Sequence, residues 1–124
     1  MIKFSKDHVS VNISKKFVTI GLADKILENA EVVTNIRFPE EGDEVSMGDE
    51  FIVVETPDEN LDIICPISGT VIELNEVLVN RPEMLLDDPE RYWLCKISID
   101  DPDELEDLLT YGKYTNYCED NEDY

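Results

Sequence analysis

Basic residues are scarce in this chain. Its 124 residues hold ten Lys and Arg against thirty Asp and Glu, a formal net charge of −20. A field of that sign repels phosphate backbones and anionic lipid, so neither nucleic acid nor a membrane surface is expected as a partner. It suits docking onto a basic protein surface. The three cysteines, Cys65, Cys95 and Cys118, have no CxxC spacing, which argues against a disulfide framework or a zinc knuckle. Cys65 and Cys95 lie in apolar strand patterns and read as small core residues, whereas Cys118 sits in a polar tail as an exposed thiol. The single histidine, His8, leaves a zinc site without a second imidazole and reads as a surface or satisfied residue. A Gly-rich phosphate loop and a nucleophile elbow are also missing, so no enzyme activity is expected of the chain itself. No apolar run reaches 18 residues, and Met1-Ile2-Lys3-Phe4 lacks the apolar core of a signal peptide; the expectation is a cytoplasmic protein.

What is present is a chain of one-domain length with 42% hydrophobic residues arranged mostly at period two. Val9, Val11 and Ile13 alternate, Ser14-Lys15-Lys16 makes a polar turn, and Phe17–Gly21 returns, which predicts a hairpin. Leu22, Ile26 and Leu27 have helical spacing, so a short helix is expected over 22–30, followed by a strand within Glu31–Pro39. Residues 40–50 read as a loop with Gly42 and Gly48 at turn positions, its acids forming a solvated face rather than a calcium loop. The stretch 51–75 organises the remainder. It predicts a strand Phe51–Glu55, a turn Thr56–Asn60, a strand Leu61–Cys65, a Pro-Ile-Ser-Gly corner and a strand Thr70–Leu74. Pro57 pre-sets the second position of a type I turn, and the polar Asp58-Glu59-Asn60 place its apex in solvent. Pro82 and Pro89 bracket a short turn or helix, and Tyr92–Ile99 alternates as a strand. Asp101 as N-cap, Pro102 at the first helical position and Leu105, Leu108 and Leu109 on one face predict a C-terminal helix. Residues 1–113 thus form the expected domain, and 114–124 an acidic, flexible tail.

These residues also carry a resemblance. The turn Glu55-Thr56-Pro57-Asp58-Glu59 and the corner Cys65-Pro66-Ile67-Ser68-Gly69-Thr70-Val71 are similar to the modification hairpin of lipoyl and biotinyl carrier domains. They most resemble the H protein family of the glycine cleavage system. Lys6-Asp7-His8, Val18-Thr19-Ile20-Gly21-Leu22-Ala23-Asp24, the two-glycine loop at Gly42 and Gly48, Asn80 to Pro89, Trp93-Leu94-Cys95-Lys96-Ile97 and Asp101-Pro102-Asp103-Glu104-Leu105 follow that family's blocks in order. Val9-Ser10 stands where the family's Glu-Trp is usual. The resemblance covers about residues 3–114 and implies a mainly β fold, a flattened barrel or sandwich of two antiparallel sheets with short peripheral helices and a C-terminal helix. The strand patterning agrees independently with an all-β sandwich.

In that family the turn presents a lysine to which lipoate is joined through an amide. Here the corresponding position holds Asp58, and no lysine lies between Lys25 and Lys96. A carboxylate cannot form that amide, and Pro57, Glu59 and Asn60 offer no amine either. The resemblance therefore implies an H-like protein without a lipoyl cofactor, a binding or regulatory module whose hairpin, Glu55 to Asn60, meets family partners. Those would be a glycine decarboxylase, an aminomethyltransferase or a lipoate-handling enzyme. Two other readings remain at this stage: a working carrier lipoylated at Lys25 or Lys96, and a structural subunit of a larger assembly.

Overall fold

The computed structural model describes residues 1–27, 30–88 and 91–120. Among the described residues, nine strands build two antiparallel sheets. The larger has the order β1 (Ile2–Phe4), β2 (Val9–Ile13), β3 (Phe17–Leu22), β9 (Cys95–Ile99), β8 (Gly69–Leu74) and β5 (Glu44–Val45). The smaller has β6 (Glu50–Glu55) at its centre, between β4 (Asn35–Arg37) and β7 (Asn60–Ile64). The two sheets share one apolar core without closing into a barrel. Alternation explains which side chains enter it. Val9 and Val11 of β2, Val18 and Ile20 of β3, Val71 of β8 and Ile97 of β9 are fully buried on one side. Ile52 and Val54 of β6 and Ile63 of β7 are fully buried on the other.

Two irregularities shape the sheets. The β6–β7 register shifts between Glu50 and Ile52, and the β8–β9 register shifts between Val71 and Glu73, as expected for bulges that bend a strand. The loop over residues 40–50 is a loop as predicted, with the short strand β5 inside it. Gly42 and Gly48 have φ of 96° and 94°, the left-handed region that a side chain resists. Their amides donate to the carbonyls of Val71 and Cys65 at 2.7 and 2.9 Å, which tethers the loop to β8 and to the corner that follows β7.

The helices differ most from expectation. Leu22 ends β3, paired with Val9, and only Asp24–Leu27 turns as a short 3-10 helix; residues 28–29 of the expected helix lie outside the described residues. The Ala23 amide donates to the His8 carbonyl at 3.0 Å, so cross-strand pairing claims the segment before helical spacing can act. A second irregularity concerns 101–109. The Asp101 side chain caps as expected, accepting from the Asp103 amide at 3.0 Å, but the turn is 3-10 and stops at Asp107. Leu108 is extended, and Leu109 exchanges backbone hydrogen bonds of 2.8 and 2.7 Å with Phe4. Between Asn75 and Leu86 a short helix α1 (Glu76–Asn80) precedes a 3-10 turn, Pro82–Leu86. Buried Asn75 caps α1 from its Oδ1 and donates from Nδ2 to the Trp93 carbonyl at 2.7 Å.

The C-terminal helix, α2, is Tyr111–Asp120, so it begins in the expected domain and takes up most of the segment read from sequence as a tail from residue 114. Tyr114 is 6% exposed and stacks on Phe4 with 4.6 Å between ring centroids. The repeat Tyr111, Tyr114, Tyr117 at three-residue spacing was the signal for this helix; the acidic composition around it masked that spacing.

Candidate functional site

The hairpin β6–β7 carries the candidate site. Its register runs from Ile52 opposite Ile63 to Glu55 opposite Asn60, which leaves Thr56–Glu59 as a four-residue turn. Thr56 closes that turn. Its amide and its hydroxyl both donate to the Glu59 carbonyl, at 2.9 and 2.7 Å, and its hydroxyl oxygen accepts from the Glu59 amide at 3.1 Å. Pro57, Asp58, Glu59 and Asn60 are exposed, as expected for a solvent-facing apex. Asn60 begins β7 rather than ending the turn.

The base of the hairpin is fixed by β4, which sequence reasoning did not connect with it. Arg37 Nε donates to Glu55 Oε1 at 2.6 Å, and Asn35 Nδ2 donates to the same oxygen at 3.2 Å. The hydrogen bond from Arg37, then that from Asn35, holds the Glu55 carboxyl below its ordinary range. The Thr34 amide and hydroxyl both reach the Glu55 carbonyl, at 2.8 and 3.1 Å. Asn35 and Arg37, two apart on one strand and so on one face, were the available signal.

The far end of β7 enters the Cys65–Gly69 corner, where two separate motifs meet. The Ser68 amide donates to Glu104 Oε1 at 2.7 Å and the Ser68 hydroxyl donates to Oε2 at 3.0 Å. The same hydroxyl accepts from the Met47 amide at 2.9 Å. Glu104 of the Asp-Pro-Asp-Glu-Leu turn therefore locks the Pro-Ile-Ser-Gly corner to the loop before the hairpin. Gly69 is required for a different reason: a Cβ there would enter the Ser98 carbonyl and press on Ile97 Cγ2 at 2.6 Å.

The remaining sequence candidates lie apart from the apex. Lys96 is within β9 of the other sheet, 3.5 Å from Glu73 and with its ammonium 4.9 Å from the Trp93 ring centroid and 5.4 Å from that of Phe17. Lys25 lies in the 3-10 turn Asp24–Leu27. His8 adopts φ of 68° and its Nδ1 is 2.7 Å from the Tyr114 hydroxyl, so it ties β2 to α2. Cys65 and Cys95 are core residues as expected; burial pushes their thiols from 9.0 up to about 11 and about 12. Cys118 is half-buried rather than exposed. Among the described residues no group of three or more His, Cys, Asp and Glu could hold a metal ion, and no helix is long and apolar enough to cross a membrane.

Comparison with known proteins agrees with this architecture. Residues 2–121 match the family described as Glycine cleavage H-protein. A glycine cleavage system H protein of Alkaliphilus oremlandii is 36% identical over 116 residues, covering 94% of this chain and 91% of the relative. One of Thermotoga maritima is 37% identical over 119 residues, covering 95% and 96%. The crystal structure of a glycine cleavage system H protein from Mycobacterium marinum superposes with a TM-score of 0.79 at 25% identity, covering 93% of this chain and 94% of that one.

Proposed function

This chain belongs to the glycine cleavage H-protein family, and from that premise we propose that it works without the lipoyl arm, as a binding or regulatory module for lipoyl-system enzymes. H proteins are lipoyl carriers rather than enzymes with an active site of their own, so the chain's role is read through what it carries or docks. One observation supports the loss of the carrier role: the exposed apex Pro57–Asn60 holds Asp58 where an amine is needed, and Lys25 and Lys96 belong to other elements. Lipoate attachment needs a nucleophilic amine that can enter a ligase's active site. Lys96, mid-strand and engaged with Glu73, is poorly placed for that.

The retained hairpin then serves as a docking element, with Glu55 to Asn60 meeting a glycine decarboxylase, an aminomethyltransferase or a lipoate-handling enzyme in the cytoplasm. Asp58 would fill a partner's recognition site without delivering an aminomethyl group. The test has two parts. The intact mass of the chain isolated from its own cells should show no lipoyl group, and immobilised chain should bind at least one of those enzymes saturably. A mass raised by a lipoyl group, or no binding to any of the three, overturns the reading.

A further inference from the structure

Beside the apex lies a groove of about 500 Å³ between the turn Thr56–Glu59 and the segment Ala30–Val32, within the range of about 300–1,000 Å³ usual for ligand pockets. Its two kinds of wall differ in chemistry. Ala30, Val32 and Pro57 give an apolar surface, and Val32 is 49% exposed while its neighbour Val33 is buried in the core. Glu31, Asp58 and Glu59 give a carboxylate rim. The ion pairs of Arg37 with Glu55 and of Lys96 with Glu73 do not involve that rim.

We propose that this groove docks a basic segment of a protein partner in which a lysine or arginine adjoins an apolar residue. The apolar group and the methylene stem of the basic side chain pack on Val32 and Pro57, and the cation lies among Glu31, Asp58 and Glu59. The −20 net charge draws such a segment in from a distance, and the apolar wall selects it over a cation alone. This specifies the partner chemistry of the module reading above and rests on it for the partner's biological identity, not for the groove.

The experiment is an amide NMR titration of the full chain with a blocked Lys-Leu-Arg-Leu peptide, and separately with spermidine. The expected result is saturable shifts at the amides of Ala30–Val32, Thr56, Asp58 and Glu59, with spermidine binding there roughly ten-fold more weakly. The triple variant Glu31→Gln/Asp58→Asn/Glu59→Gln should weaken the peptide roughly ten-fold, while Asp103→Asn/Glu106→Gln/Asp107→Asn, with the same charge change elsewhere, should leave it unaltered. Val32→Ser should weaken the peptide and not spermidine.

Shifts spread across the acidic surface, equal losses in both triple variants, or spermidine binding as tightly as the peptide overturn the proposal. A chain found lipoylated that still binds the peptide at these amides refutes the module reading and keeps the groove. Lipoyl-system enzymes that bind the groove triple variant as well as the wild type refute the groove and keep the module reading.

Discussion

Replacing Glu104 with alanine should destabilise the protein far more than its position on a surface turn suggests. Glu104 is half-buried and accepts two hydrogen bonds from one residue, the amide and hydroxyl of Ser68 at 2.7 and 3.0 Å. A hydrogen bond to a charged group contributes about 1.5–3 kcal/mol when shielded, and partial solvent access reduces that. In Glu104→Ala the two bonds are lost, but water can reach the freed Ser68 amide, so the net cost should be about 2 kcal/mol. For a chain of this size that is a fall in Tm of roughly 6–12 °C.

Urea unfolding monitored by Trp93 fluorescence measures it directly, with the m-value unchanged if the denatured state is unaltered. Glu104→Gln keeps one acceptor and loses the charge, so it should cost about half as much. Glu106→Ala, on the exposed side of the same turn, is the control and should cost less than about 0.5 kcal/mol. A double-mutant cycle with Ser68→Ala should give a coupling of about 1 kcal/mol. A loss in Glu104→Ala no larger than in Glu106→Ala, or no coupling to Ser68, would show that the corner is held by its backbone alone.

Gly69→Ala drives a Cβ into the Ser98 carbonyl inside the β8–β9 pair and should cost about 3 kcal/mol or more, read as a lowered urea midpoint. The thiols of Cys65 and Cys95 titrate near 11 and 12 when folded against 9.0 ordinarily, so above pH 9 the unfolded chain holds fewer protons than the native one. Stability is therefore fully present below about pH 9 and falls as the pH rises toward 12, and Cys95→Ala should flatten that decline in pH-dependent urea melts. Asp58→Lys places an amine at the exposed apex; a lipoate ligase supplied with lipoate and ATP should modify this variant and leave the wild type unmodified, as read by intact mass. Equal modification of both would place the acceptor elsewhere in the chain.

Most of the sheet structure was legible because its code is local. Apolar residues two apart at 9–13, 18–20, 52–54 and 95–97 mark the strands and the buried face together, and Gly42 and Gly48 mark turns that only glycine adopts cheaply. Helical segments were less legible because tertiary contacts decide them. Leu22 has the right spacing from Ile26 for a helix, yet its pairing with Val9 keeps it in β3. The fate of Leu109 depends on Phe4, more than one hundred positions away, and α2 depends on its tyrosines finding Phe4 and His8. At the candidate site the apex was readable from Pro57 and its polar neighbours, whereas its support by Thr34, Asn35 and Arg37 was not, since antiparallel register must be known before those residues can be set against Glu55.

The structure also gives several residues of the family-like blocks a structural role of their own. Gly42 and Gly48 are needed for backbone conformation, Gly69 for close approach of two strands, and Ser68 and Glu104 for a mutual lock. Asn75 caps a helix while holding the Trp93 carbonyl. Each of these residues supports the scaffold. Asp58 is a different case: it is exposed on a turn closed by hydrogen bonds between Thr56 and Glu59. Fold and carrier chemistry thus rest on different residues: the architecture follows from these scaffold contacts, and carrier chemistry follows from whether an accessible amine is presented for lipoylation.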